Sequence, residues 1–152
     1  MQRYGDIKYR NNIKFKEDGV IDYKLGGHPT MNLTDGNDGR IYFLVMTSNC
    51  NMAKSGNGLF YEMIPDRSNT LKCKTYLNLN YIYYVDKDTI TKDRYVGDYD
   101  LKNISKLIYE NIDMIKDKNK DIPDYVLSEI EQNAKQNYKY LKHLGDMNSA
   151  KR

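Results

Sequence analysis

The chain is predicted to fold as an α+β protein: a small, strongly bent antiparallel sheet or barrel, followed by C-terminal helices packed on it. Three observations carry that expectation. Residues 5–85 hold short runs that either alternate apolar with polar or are apolar throughout, separated by Asn/Asp/Gly turns. The spacing between those runs leaves no room for crossover helices, which excludes a βαβ arrangement. Beyond residue 100 the apolar period lengthens to that of a helix.

Gly5 to Tyr9 predicts an opening strand, and Val20 to Leu25 a half-buried one, with Ile21, Tyr23 and Leu25 against Asp22 and Lys24. Gly26-Gly27 allows a sharp bend into the next strand. There His28, Thr30, Asn32 and Thr34 alternate with Pro29, Met31 and Leu33, so His28 is expected on a polar, open face. Asp35-Gly36-Asn37-Asp38-Gly39 is turn chemistry and predicts a hairpin. The returning strand, Arg40 to Ser48, is apolar on both faces from Ile41 to Met46 and is therefore central. It ends abruptly in Thr47-Ser48-Asn49.

A loop over 49–58 precedes a strand at Leu59–Ile64, which Pro65 stops; Tyr76 to Val85 predicts one further central strand. Asp100 is a candidate N-cap for a helix from Leu101 to about Lys116, whose Leu101, Ile104, Leu107, Ile108, Ile112 and Ile115 share one face. After a charged break to Asp121, a second helix is expected to start near Pro123 and to end before Gly145, with a frayed tail from Met147. Its apolar stripe suits docking on its own domain or on a second subunit. At 152 residues a single domain, 1–152, is expected.

Composition narrows the function classes. No apolar run approaches the roughly 20 residues of a membrane span, and the start has no apolar signal region, so a cytoplasmic protein is expected. Cys50 and Cys73 lack any metal or redox spacing and are expected to be reduced thiols. The net charge of +3 forms no basic arm and does not by itself indicate nucleic acid. The 15 tyrosines, interleaved with lysines, suit base stacking beside phosphate contact, although tyrosine also simply favours sheets.

The chain's two histidines are far apart, and His143 sits among lysines near a helix end, so no metal and no cofactor are expected. Asp98 and Asp100 are better explained as capping groups than as cation ligands. His28 with Thr47 and Ser48 is the constellation that could carry chemistry. RNA can be cut without a metal when one group takes the 2′-hydroxyl proton, another donates to the leaving oxygen, and hydrogen-bond donors hold the charged phosphorane. Imidazole exchanges protons near neutral pH, and hydroxyls at a strand end can hold phosphate oxygens. A hydrogen-bonded structural histidine is the plain alternative.

The order of elements resembles the MazF/PemK (Kid-like) ribonuclease toxins. Gly5-Asp6-Ile7 resembles that family's GD-I/V opening, and His28-Pro29-Thr30-Met31-Asn32-Leu33 sits where it has Arg-Pro and an apolar strand. Leu44-Val45-Met46-Thr47-Ser48 resembles the strand ending in its catalytic threonine, and Val96-Gly97 before the helix from Leu101 completes the pattern. Gly27-His28 and Thr47-Ser48 are also similar to the ToxN/AbiQ and CptN-type toxins of type III toxin–antitoxin systems. The likeness covers about residues 4–116, leaving 117–145 as a helical extension.

The resemblance implies an SH3-like, MazF-type barrel and metal-independent cleavage of single-stranded RNA to a 2′,3′-cyclic phosphate. It also implies a folded repeat RNA as antitoxin, in a toxin–RNA hetero-oligomer. Thr47 takes the place of the catalytic threonine, Ser48 that of the neighbouring hydroxyl, and His28 that of the family's catalytic arginine. Tyr23, Lys24, Arg40, Asn49, Lys54 and Arg67 are candidate RNA contacts by position and charge. The rival functions are a MazF-like toxin with a protein antitoxin and a non-catalytic SH3-like module that binds RNA or protein.

Overall fold

The computed structural model describes residues 3–10, 28–47, 58–63, 75–86, 92–93 and 100–150, the backbone alone at 92–93 and 139–150. The strand expected over 20–25 and most of the loop over 49–58 lie outside these residues. The chain forms two compact units, Met1–Tyr99 and Asp100–Arg152.

The first unit is an antiparallel sheet of β1 (Ile7–Arg10), β2 (His28–Asn32), β3 (Arg40–Thr47), β4 (Phe60–Met63), β5 (Thr75–Asn78), β6 (Tyr83–Asp86) and β7 (Lys92–Asp93). Its order is β4-β5-β3-β2-β1-β7, with β6 also paired to β3. β4 and β7 do not pair with each other among the described residues, so the expected barrel is an open sheet. Both end strands are short, β7 being two residues long and β4 four, and neither offers a ladder long enough for closure.

The predicted hairpin joins β2 and β3. Asp35 Oδ1 accepts from the Asn37 N–H at 3.1 Å, and Asp38 Oδ1 accepts from the Arg40 N–H at 3.0 Å. Gly36 and Gly39 take the left-handed conformations (φ 80° and 84°) that only glycine adopts at low cost. As expected, every residue from Ile41 to Met46 is buried. Ile41, Phe43, Val45 and Tyr83 form one core cluster bordered by Tyr81 and Val85.

Two expectations need correction. Tyr76–Val85 is not one strand but β5 and β6, which pair β3 at Met46–Thr47 and Arg40–Phe43 respectively. Between those ladders β3 spends only Leu44 and Val45, whereas the partner spends Asn78 to Ile82. The surplus residues form a wide bulge, which frees β5 to turn towards β4. The bulge is held by Asn80, whose Oδ1 accepts from the Leu59 N–H at 2.9 Å and whose Nδ2 donates to the Leu59 carbonyl at 3.0 Å.

The second correction concerns the polar face of β2, which is not open beyond His28. Thr30, Asn32 and Thr34 are buried because other polar groups cover them. Arg10 Nε donates to Thr30 Oγ1 at 3.1 Å and Arg10 Nη2 to Asn32 Oδ1 at 2.7 Å. The Thr30 hydroxyl in turn donates to the Lys8 carbonyl at 2.8 Å. A polar stripe thus marks an internal hydrogen-bond layer here, not a wetted surface.

The second unit holds α1 (Leu101–Glu110), α2 (Ile112–Lys118) and α3 (Asp124–Ala150). Asp100 caps α1 as predicted, accepting from the Asn103 N–H at 3.2 Å. The single helix expected to Lys116 is broken at Asn111, whose backbone N–H and side-chain amide both donate to the Leu107 carbonyl. Asparagine's ability to bond nearby backbone makes it a natural break. α3 runs through Gly145 to Ala150, past the predicted end. An interior glycine costs only about 1 kcal/mol, and nothing else there forces a stop. Lys116 bridges to Glu131 at 2.7 Å, and that hydrogen bond holds the ammonium above its usual pKa. No helix among the described residues is long and apolar enough to cross a membrane.

The bulge generates a stability prediction. Gly58 has φ +148°, and a Cβ there would lie 2.6 Å from the Asn80 amide. Gly58→Ala is expected to destabilise the fold by about 1–3 kcal/mol through strain and displacement of that amide. Asn80→Ala should cost a similar amount, about 1–3 kcal/mol, by removing the acceptor of the Leu59 N–H and leaving the Leu59 carbonyl with the Leu79 N–H alone. Urea denaturation measures both, and wild-type midpoints would remove Asn80 as the bulge's anchor.

Candidate active site

β2 and β3 run antiparallel, with Thr30 opposite Val45 and Met31 opposite Leu44. The ladder ends at the Thr30–Val45 pair, and His28 and Thr47 each lie two residues beyond it, at the same end of the two strands. His28 Nδ1 lies 3.1 Å from the carbonyl oxygen of Met46, the residue before Thr47. A carbonyl only accepts, so Nδ1 carries the proton of this bond. In the neutral ring Nε2 then holds the lone pair, and the nitrogen not tied to the backbone is the one equipped as a base. His28 and Thr47 are both partly buried, which suits groups that must meet a ligand yet be held in place.

Residues directly opposed in an antiparallel ladder point to the same face. Arg10 opposes His28, Thr47 opposes Tyr76, and Tyr76 opposes Glu62. Arg10 and His28 thus begin, and Thr47, Tyr76 and Glu62 end, a row on one face of the sheet, the two parts being related by parity through the Thr30–Val45 pair. His28 is tied to the carbonyl of Met46, the residue before Thr47, and both His28 and Thr47 lie at the same end of β2 and β3. Ser48, Tyr23, Lys24, Asn49, Lys54 and Arg67 lie outside the described residues, as do Cys50, Cys73 and Asp98.

Arg40 is not part of this row. It begins β3, and Thr47 ends that strand, roughly 23 Å away at strand rise. It also shares the alternate face with Tyr42, Leu44 and Met46. Its guanidinium lies 4.9 Å over the ring of Tyr84, which is 44 % exposed.

Three members of the row escaped sequence reasoning. Arg10 falls one residue past the predicted opening strand, and nothing local marks it. Tyr76 sits in a predicted strand and Glu62 in another, but their shared face depends on register, which no single run of residues specifies. Arg10 is the unusual one electrostatically: it is 2 % exposed, and burial pushes its guanidinium pKa down to about 10. It remains a cation at neutral pH, paired with neutral oxygens and with the Phe43 ring, 4.8 Å from Cζ. Among the described residues, no three His, Cys, Asp or Glu side chains converge.

The His28 geometry predicts its tautomer. Long-range proton–nitrogen NMR correlations of histidine-labelled protein at alkaline pH should show Nδ1 protonated and Nε2 bare. The reverse pattern would mean that the Met46 carbonyl does not hold the ring. No family model, curated protein or solved structure matches the chain.

Proposed function

We propose that this chain is a metal-independent endoribonuclease toxin that cleaves single-stranded RNA. The observation that carries the proposal is the hydrogen bond from His28 Nδ1 to the Met46 carbonyl, which ties the imidazole to the residue before Thr47 at the end of a buried strand. That arrangement provides two of the groups that transesterification of RNA needs, a base and a donor to the phosphorane. Nε2 of His28 takes the 2′-hydroxyl proton as the 2′-oxygen attacks phosphorus. The bond from phosphorus to the 5′-oxygen breaks, giving a 2′,3′-cyclic phosphate and a 5′-hydroxyl as that oxygen takes a proton from solvent water. The Thr47 hydroxyl donates to a non-bridging oxygen on which charge accumulates.

The resemblance that supports this chemistry is the MazF/PemK-like order: a Gly5-Asp6-Ile7 opening, a His-Pro strand and a hairpin return ending in Thr47-Ser48. Gly27-His28 and Thr47-Ser48 resemble the type III toxins more, so the inhibitor we infer is a folded repeat RNA in a cytoplasmic toxin–RNA assembly. An imidazole in place of the family's arginine makes proton transfer, and not charge stabilisation alone, the task of that position.

Cleavage of unstructured RNA is expected to persist in EDTA and to leave 2′,3′-cyclic phosphate ends. His28→Ala and Thr47→Ala should each lower the rate by about 10²–10⁴-fold while circular dichroism stays unchanged. Wild-type rates in both variants would refute the site, and RNA left uncut by the wild type would leave a binding module. The 260/280 nm absorbance ratio of the freshly isolated complex separates the inhibitors: a nucleic-acid ratio is expected, and a protein ratio would indicate a protein antitoxin.

A further inference from the structure

The proposed chemistry does not use Arg10, yet Arg10 is the costliest side chain in the sheet unit to keep. It ends β1 opposite His28 and is almost wholly buried. Its described partners are Thr30 Oγ1, Asn32 Oδ1 and the Phe43 ring, none of which carries a negative charge. Those hydrogen bonds occupy two of the five N–H groups of a guanidinium, and the remainder have no acceptor among the described residues.

A buried cation is normally retained only when paired, because well-packed apolar residues of the same size stabilise a fold as well or better. A structural role alone does not explain the charge. A neutral amide could donate to Thr30 and Asn32 without the desolvation cost, and methionine could cover Phe43. What a guanidinium adds is a fork of donors matched to the oxygens of a phosphate, in a low-dielectric setting where such bonds are strong. Thr30, which holds Nε, lies two residues along β2 from His28 on the same face, roughly 7 Å away. An anion at Arg10 would therefore sit beside the reacting centre, along the strand from it.

We infer that Arg10, set by Thr30, Asn32 and Phe43, is the floor of an anion subsite that takes a phosphate group, and that its natural occupant is an RNA phosphodiester adjoining the one cut at His28 and Thr47. Binding of an anion stands on the burial and partners of Arg10. Its identity as a phosphodiester rests on the ribonuclease proposal, so the two can fail separately.

The test uses the wild-type protein, titrated with inorganic phosphate against chloride at constant ionic strength. One arginine Nε–H resonance should shift saturably and the melting temperature should rise with it. Absence of a saturable response overturns the proposal. The resonance should show contacts to the Phe43 ring, which assigns it to Arg10 without a variant; a shifting resonance assigned elsewhere also overturns it. Arg10→Gln, which keeps neutral donors for Thr30 and Asn32, should bind phosphate at least about tenfold more weakly, the loss of a charge-assisted hydrogen bond. Undiminished binding in that variant would contradict the assignment. A 2′-deoxy oligonucleotide, which cannot be cleaved, should displace phosphate from the wild type. Failure to displace it would overturn the RNA occupant, whereas the ribonuclease proposal is judged by cleavage alone.

Discussion

Strand β3 has to be hydrogen-bonded along both edges, because its side chains from Ile41 to Met46 are all buried and water cannot serve its backbone. β2 covers one edge, and β6 and β5 divide the other. Three of the sheet's strands are thus positioned by one, and the division of its second edge has a structural consequence. Where β6 ends and β5 begins, the partner chain carries extra residues, and Asn80 ties that bulge to Leu59. The pairing of β3 passes from β6 to β5 at that point, close to where β3 ends in Thr47.

A strand that is buried up to its last residue and then stops offers its end as a rigid place to hold a reacting group. Thr47 is that residue, and His28 is drawn to it twice over. Each lies two residues beyond the Thr30–Val45 pair on the same face, and the Met46 carbonyl accepts a hydrogen bond from Nδ1. The second restraint does more than orient the ring. By occupying one nitrogen it determines which other nitrogen can exchange a proton with a ligand, a choice that an untethered histidine leaves to solvent.

Much of this could be read from residues alone where the local pattern leaves a single solution. Six apolar side chains in succession leave β3 no wet face, and Asp35-Gly36-Asn37-Asp38-Gly39 leaves little except a turn. Asp100 caps α1 as its position implies. Alternation in β2 shows that His28, Thr30, Asn32 and Thr34 share a face, but not what lies over that face. The cover is Arg10, from a different strand, and only tertiary pairing reveals it. The same holds for Tyr76 and Glu62, which join the row through register, and for the bulge, whose cause is a side-chain contact between Asn80 and Leu59. Asn111 and Gly145 mark the limits of propensity: the asparagine breaks a helix because its amide finds the Leu107 carbonyl, and the glycine fails to end one.

The central claim is that His28 and Thr47 act as one unit on one phosphate. A double-mutant cycle on the rate of RNA cleavage addresses that most directly, comparing His28→Ala, Thr47→Ala and the combined variant with wild type. Groups that work together lose most of their joint effect when either is removed, so the double variant should be little slower than the slower single variant. Rate losses that multiply would show two groups acting independently and would contradict the account.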